Sequence, residues 1–552
     1  MKKLYYGIAT LLATIATLYS AIAQPAFSYS DVIDVNNIKA ATLVHGDLWW
    51  KPQTQLPACE FPKNSGKNIM GAASIWMAGY DNNNALHQSA QTYRQSGNDY
   101  WPGPLDAAGQ VDYPTSAKWA KIWKVNVSEI NSFKALTNHT IQNTPAPILE
   151  WPAKNNPYAA GAANAPLTVT TDMAPFIDVN TDGNYNPLDG DYPDIKGDQM
   201  LWWVFSDNGH THNNASPAST PLKVEIHAKA YGYKRNTLVD NVVYYEMDIA
   251  NKSGNDYSGF RFGIWSDADL GYSHDDFVGF DSVHRMGIIY NGNATDGTGQ
   301  PEAYATQIPV AGVTFLKMPG DNAPNYLPAG SFMSYDNNSS IIGNPISDSD
   351  YNNYLRSLWK NGSHLKNDYM GPNINSKGYG SGYDANYIFP GNPANKTEWS
   401  ECASNNLPGD RRFVIATNDY NFAAGTTATV AFALVATQPG NTGCPNTSFT
   451  DIKIVADTAW KAFGHPLPTS VGNIANAVSQ LHIYPNPVHD VLFINGSVDK
   501  VQVYDALGRS HTIAARLQDG HTELNVAQLP AGVYHLVASG AEGHTTQTFI
   551  KD

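Results

Sequence analysis

The run VVYYEMDIA at residues 242–250, followed by NKSGN at 251–255 and DYSGFRFGI at 256–264, decides the fold class. In the first run Tyr245, Met247 and Ile249 alternate with Glu246 and Asp248, a period of two that puts the apolar groups on one side of an extended chain. Phe260, Phe262 and Ile264 repeat that period after a turn rich in Asn, Ser and Gly. The pair reads as a β-hairpin with one face on a core. Working outward, MLWWVF at 200–205 and ATVAFALVAT at 428–437 are continuously apolar, as expected of strands buried on both faces. The clearest helix is DIKIVADTAWKAF at 451–463. It places Ile452, Val455, Ala456, Ala459 and Phe463 on one face and is stopped by Pro466 and Pro468.

A chain of 552 residues, 42% apolar and only 15% charged, can bury sizeable cores. The expected architecture is mostly β and multidomain. Residues 1–23 read as a signal peptide, with basic Met1-Lys2-Lys3, an apolar stretch and Ala21-Ile22-Ala23 as a small-x-small cleavage site. Residues 24–165 form an aromatic-rich β region, and 166–466 a β-sandwich-like body with few helices and a calcium-type loop. Residues 467–480 are a linker, and 481–552 a small C-terminal antiparallel β-sandwich. After signal cleavage no run of 18 or more apolar residues remains, so no transmembrane segment is expected. The net charge of −15, without a Lys/Arg cluster, argues against a nucleic-acid partner. Of three cysteines, Cys402 and Cys444 flank one late β segment and are expected to pair. Cys59 is then buried and free, or bonded to one of the others instead.

The best chemical motif is DVNTDGNYNPLD at 178–189. Asp178, Asn180 and Asp182 fall at loop positions 1, 3 and 5, and Gly183 lies at the sharp turn. Asn184 offers a carbonyl, Asn186 can reach in directly or through water, and Asp189 closes the set. One loop can so wrap oxygen ligands around a cation of Ca²⁺ size. The pattern resembles calcium loops of the dockerin and thrombospondin-repeat kind. It departs from a full EF-hand in ending on Asp, and Pro187 with Pro193 argues against an exit helix. A hydrated Asn/Asp/Gly turn is the plainer alternative. A second acidic group comprises Asp267, Asp269, Asp275 and Asp276. Asp267 and Asp269 share one side of a strand end and can chelate together, while Asp275 or Asp276 could return from the loop. Like charges this close need a cation, a basic residue or protonation. A solvated acidic loop and a glycosidase-type carboxylate pair are the alternatives. There is no GxSxG, HExxH or Walker A sequence, and no catalytic residue is assigned. His210 and His212 lack an apparent third ligand. Trp49, Trp50, Trp76, Tyr100, Trp101, Trp119, Trp123, Trp202 and Trp203 either fill cores or stack on sugar rings. The segment 91–105 is the first place to look for a ligand surface.

The end of the chain carries four ordered motifs. They are Tyr484-Pro485-Asn486-Pro487, then Val503-Tyr504-Asp505 with Gly508-Arg509, then Leu529-Pro530-Ala531-Gly532-Val533-Tyr534, and last Phe549-Ile550-Lys551. In that order they closely resemble the C-terminal sorting domain of the type IX (Por) secretion system. The resemblance implies recognition of a folded sandwich by an outer-membrane translocon, and a secreted or cell-surface destination. It covers residues 481–552 only. The body resembles other secreted surface proteins with the same tail, which implies no activity. Asp281-Ser282-Val283 and Asp457-Thr458-Ala459 resemble the O-glycosylation triplets of that group. The expected function is a binding, adhesion or structural role with a glycan or surface ligand. A secreted hydrolase acting on polysaccharide or protein is the alternative.

Overall fold

The computed structural model describes residues 29–464 and 483–552, apart from 94–97, 324–325, 368–376, 439–442, 445, 496–499, 506–509, 512, 519–520 and 541–542. The signal peptide expected at 1–23, the linker at 467–480, and Gly508 and Arg509 lie outside the described residues. The protein is mostly β, and the chain divides into two compact units at Leu467/Pro468.

The first unit is built on two antiparallel sheets. A nine-stranded sheet runs Asp276–Asp281, Met286–Asn291, Val310–Lys317, Thr427–Thr437, Val242–Asn251, Val224–Gly232 and Gln199–Ser206. Trp101–Pro102 and Trp123–Asn126 both pair with the last of these. A six-stranded sheet runs Ser331–Tyr335, Arg412–Ala416, Tyr257–Asp267, Ala72–Tyr80 and Leu86–Ala90, with Tyr420–Phe422 also on Tyr257–Asp267. The division expected at 165/166 falls inside this unit, since Ala72–Tyr80 is laddered to Tyr257–Asp267 and Trp123–Asn126 to Gln199–Ser206.

The two strands read as a hairpin do exist, but they do not pair. Val242–Asn251 lies between Val224–Gly232 and Thr427–Thr437, while Tyr257–Asp267 belongs to the other sheet. The intervening turn carries the chain across the sandwich. Asn251 organises the crossing by donating from Nδ2 to the carbonyls of Asn255 (2.9 Å) and Phe422 (3.1 Å) and accepting from Ser253. Tyr245, Met247, Ile249, Phe260, Phe262 and Ile264 then meet in one core from opposite sheets.

The far face of the nine-stranded sheet is covered by the helix Thr450–Phe463, which lies on Thr427–Thr437 and Val310–Lys317. It buries Ile452, Val455, Ala456, Ala459 and Trp460, and it ends at Gly464, whose φ of 94° suits glycine alone without strain. A second core forms there with Trp123, Trp151, Trp202, Tyr244 and Phe449. Cys402 and Cys444 are joined at a Cα–Cα distance of 5.6 Å, and Cys59 is buried as a free thiol.

The helix is also pinned by a buried imidazole. His284 Nδ1 lies 2.5 Å from Asp281 Oδ2 and its Nε2 lies 3.0 Å from Asp457 Oδ1 on the helix, with Lys453 Nζ 3.6 Å from Asp281. Burial alone would lower the His284 pKa, but its bonds to Asp281 and Asp457 outweigh burial and raise it above the ordinary 6.5. The folded state therefore holds this proton more tightly than the unfolded one. The contribution is complete below about pH 6.5 and fades as pH rises through the raised folded value. Urea unfolding of His284→Gln should show a loss of about 2 kcal/mol at acid-neutral pH that shrinks on the alkaline side. A loss independent of pH would mean that the pair of charged bonds does not form.

The second unit is a small sandwich. One four-stranded sheet runs Ile483–Tyr484, Val491–Asn495, His521–Asn525 and Ala515–Gln518. The other runs Ser510–His511, Lys500–Asp505, Gly532–Gly540 and Gly543–Lys551. Leu492, Ile494 and Leu524 from the first meet Val503, Leu536 and Phe549 from the second in one core.

Candidate functional site

Tyr257–Asp267 ends where it is clamped between Ala72–Tyr80 and Arg412–Ala416, with Asp267 opposite both Ala72 and Arg412. Two residues on, Asp269 turns back beside it, and Asp410 arrives just ahead of the neighbouring strand. Ligand oxygens of Asp267, Asp269 and Asp410 all lie within 4.8 Å of one another, the only such trio of acidic, His or Cys side chains among the described residues. Asp267 accepts a hydrogen bond at Oδ2 from the Tyr93 hydroxyl, and its Oδ1 lies 3.3 Å from Arg412 Nε. Arg412 Nη2 is 3.6 Å from Asp410 Oδ2 and donates to the Tyr93 hydroxyl at 3.2 Å. Burial pushes the Asp267 carboxyl up to about 6, against the pull of Arg412. Burial and the charges of Asp267 and Asp410 push Asp269 well above the usual carboxylate range.

The sequence pairing of Asp267 with Asp269 is thus met in space, but the partner expected from the loop is not. Asp275 accepts from the Gly297 amide and Asp276 from the Leu270 amide, both at 3.0 Å, and neither joins the trio. The place is taken by Asp410, whose position in sequence gave no signal because the strand it precedes is brought in by long-range pairing.

In the loop 178–189 the side-chain oxygens turn inward. Asp178 Oδ1 accepts from the Thr181 amide (2.7 Å) and Asp178 Oδ2 from the Gly183 amide (2.8 Å). Asn180 and Asp182 accept from the amides of Asp182 (3.1 Å) and Asn184 (2.7 Å). Asp189 takes the Asn186 side-chain amide at 2.6 Å. A single 3₁₀ turn, Pro187–Asp189, stands where an exit helix is absent. Asp191, which the spacing did not single out, is fully buried and anchors the loop through the amides of Val179 (2.8 Å) and Asn186 (2.9 Å).

Other sequence candidates disperse. His212 is buried against the carbonyls of Gln88 and Asp207, whereas His210 packs on Trp101 with ring centroids 4.6 Å apart, so the two imidazoles do not converge. All nine aromatics weighed for stacking, from Trp49 to Trp203, are buried, so of the two readings they fill cores and do not form a sugar platform. In 91–105, where residues 94–97 lie outside the described set, Tyr100 donates to the carbonyls of Ile75 and Ser89 and closes the core. A cavity of about 470 Å³ does open nearby. Thr168, Thr170, Asp106, Glu225 and Lys252 line it beside Leu105 and Trp119.

In the tail the sorting motifs converge on the last strand. Asn486 donates to the Thr548 carbonyl and accepts from the Ile550 amide, and Val488 exchanges backbone bonds with Ile550 and Asp552. Tyr484 stacks on Phe493, and Tyr534 stacks on Phe549 and donates to the Pro530 carbonyl at 2.8 Å. Asp505 lies 3.4 Å from His511, opposite Tyr534 in the ladder, and Lys551 is buried beside Gly532.

The chain is thus a large sandwich followed by a small one that carries the ordered C-terminal motifs. Residues 482–552 match the family model described as the secretion system C-terminal sorting domain, so this tail belongs to the type IX sorting family. It implies recognition by the secretion machinery, export, and a surface or extracellular location. No helix among the described residues is long and apolar enough to cross a membrane. No curated protein matches the chain. A solved polysaccharide lyase is similar at 6% identity over 59% of this chain and 34% of that one, with a TM-score of 0.19, a likeness that carries no argument about the body.

Proposed function

We propose that this protein works outside the cell as a calcium-stabilised β-sandwich with a binding or adhesion role. The observation that carries the reading is the sorting tail, which delivers the folded body to the surface. Two features of the body support the rest. The loop 178–189 presents inward carboxylate and amide oxygens at calcium spacing. The cavity beside Thr168 and Thr170, lined in part by Pro104 and Leu105 at the end of the segment 91–105, offers hydroxyl, carboxylate and ammonium groups that suit sugar hydroxyls.

The test is thermal unfolding of the exported chain in Ca²⁺ and in EDTA, with a glycan array probed by the same sample. A hundredfold excess of Ca²⁺ over Kd should stabilise by about 2.7 kcal/mol. In Asp178→Ala combined with Asp182→Ala this increment should vanish or fall by the share of one site. An unchanged increment would reduce the loop to a plain turn. An array without a bound glycan would leave a structural role.

A further inference from the structure

We infer that Asp267, Asp269 and Asp410 form a second cation centre, separate from the loop 178–189, that takes a hard divalent ion of the Ca²⁺ class. Four observations converge on it. The first is charge. Three carboxyl groups lie within 4.8 Å of one another and Arg412 is the cation beside them, so ionising all three would leave two negative charges uncompensated in a largely buried place. A divalent ion balances that sum.

The second is unsatisfied oxygen. Asp267 has a side-chain exposure of 4%, yet its Oδ1 accepts no hydrogen bond, the approach of Arg412 Nε at 3.3 Å being an ion-pair contact only. Asp410 Oδ1 is likewise shut from solvent without a donor. Buried acceptors without partners are costly, and a cation held by these carboxyl groups would offset that cost.

The third is space. A Cβ on Gly71 would lie 2.5 Å from Asp269 Oδ2 and 2.9 Å from Asp267 Oδ2. Gly71 does not adopt a left-handed φ, so the backbone makes no demand for glycine there. What glycine provides is room between the two carboxylates. The fourth is donor type. All three ligands are oxygens, without imidazole or thiolate, which selects Ca²⁺, Mg²⁺ or Mn²⁺ over zinc or copper. Backbone joins these groups firmly, since Gly71 N–H donates to the Asp267 carbonyl at 3.0 Å and Ala268 N–H to the Arg411 carbonyl at 2.9 Å. An ion here ties the end of Tyr257–Asp267 to the start of the adjacent strand Arg412–Ala416.

The inference does not rest on the loop, and the experiment keeps the two apart. Calorimetric Ca²⁺ titration of the full exported chain, first stripped with EDTA, is run on wild type and on Asp178→Ala with Asp182→Ala. One equivalent should remain in that loop variant. Adding Asp269→Asn or Asp410→Asn, each of unchanged shape, should weaken the remaining site at least tenfold, and Gly71→Ala should do the same by filling the cradle. Terbium luminescence sensitised by the nearby Trp265 and Tyr93 should fall in parallel, with near-ultraviolet circular dichroism confirming the fold. Retained affinity in all three variants overturns the proposal. So does an Asp269→Asn chain that is more stable than wild type in Ca²⁺ and EDTA alike, because the carboxylates then share a proton instead of an ion.

Discussion

A chain ending before Leu481 is expected to fold, to bind whatever the body binds, and to be lost from the cell surface and the medium. The residues described in the body's two cores end at Phe463, and the tail has a core of its own built on Leu492, Leu524, Leu536 and Phe549. Removing the tail therefore takes no residue from either body core, and the body's melting temperature should stay put. What disappears is the unit that the secretion machinery recognises. A second variant asks whether recognition reads the folded sandwich or only the motifs. Leu492 is fully buried and lies outside every motif. Leu492→Ala should cost about 2–5 kcal/mol, enough to unfold a unit of some 70 residues that is marginal by size. Export should then fail as in the truncated chain, with the body held in the periplasm as judged by cell fractionation. Normal export of the truncated chain would remove the sorting assignment altogether. Normal export of Leu492→Ala with an unfolded tail would show that the translocon reads a linear signal.

The period of two at 242–250 and 256–264 determined that these segments are strands and which side chains are buried, because both follow from alternation alone. It did not determine which sheet each joins. A hairpin and a crossing between sheets bury the same alternate residues. What separates them is the side-chain bonding of Asn251 to Phe422, a residue far along the chain. The same limit applies to the acidic site. Asp267 and Asp269 are legible as a pair because their spacing fixes them on one strand side. Arg412 opposes Asp267 in the ladder, Asp410 and Gly71 lie just ahead of the two strands that flank it, and Tyr93 follows the strand beyond, so tertiary pairing alone brings all four in. The aromatics were legible as large and numerous, but exposure depends on what covers the sheet. Here Trp123 and Trp151 pack on Trp202. The tail was the most legible part, since its motifs are local and ordered.

Arg411→Met should destabilise the body by about 3–5 kcal/mol, the largest loss expected of a single charged residue here. Glu401 is fully buried, and Arg411 meets it with Nε at 3.1 and 3.2 Å from its two oxygens and Nη2 at 3.0 Å. Glu401 also accepts the Val278 amide at 3.0 Å, so the pair ties the edge strand Asp276–Asp281 to the segment leading into Arg412–Ala416, next to the disulfide at Cys402. Methionine keeps most of the aliphatic bulk of arginine but strands the carboxylate without a counter-charge. The loss is therefore the desolvation of an unpaired ion rather than the worth of the ion pair. That distinction is measurable. Adding Glu401→Gln to Arg411→Met removes the stranded charge while keeping an acceptor for the Val278 amide, and it should restore most of the stability. Denaturant unfolding of the two variants decides it. A single-variant loss below about 1 kcal/mol, or a double variant no better than the single, would place this pair with surface ion pairs of little consequence.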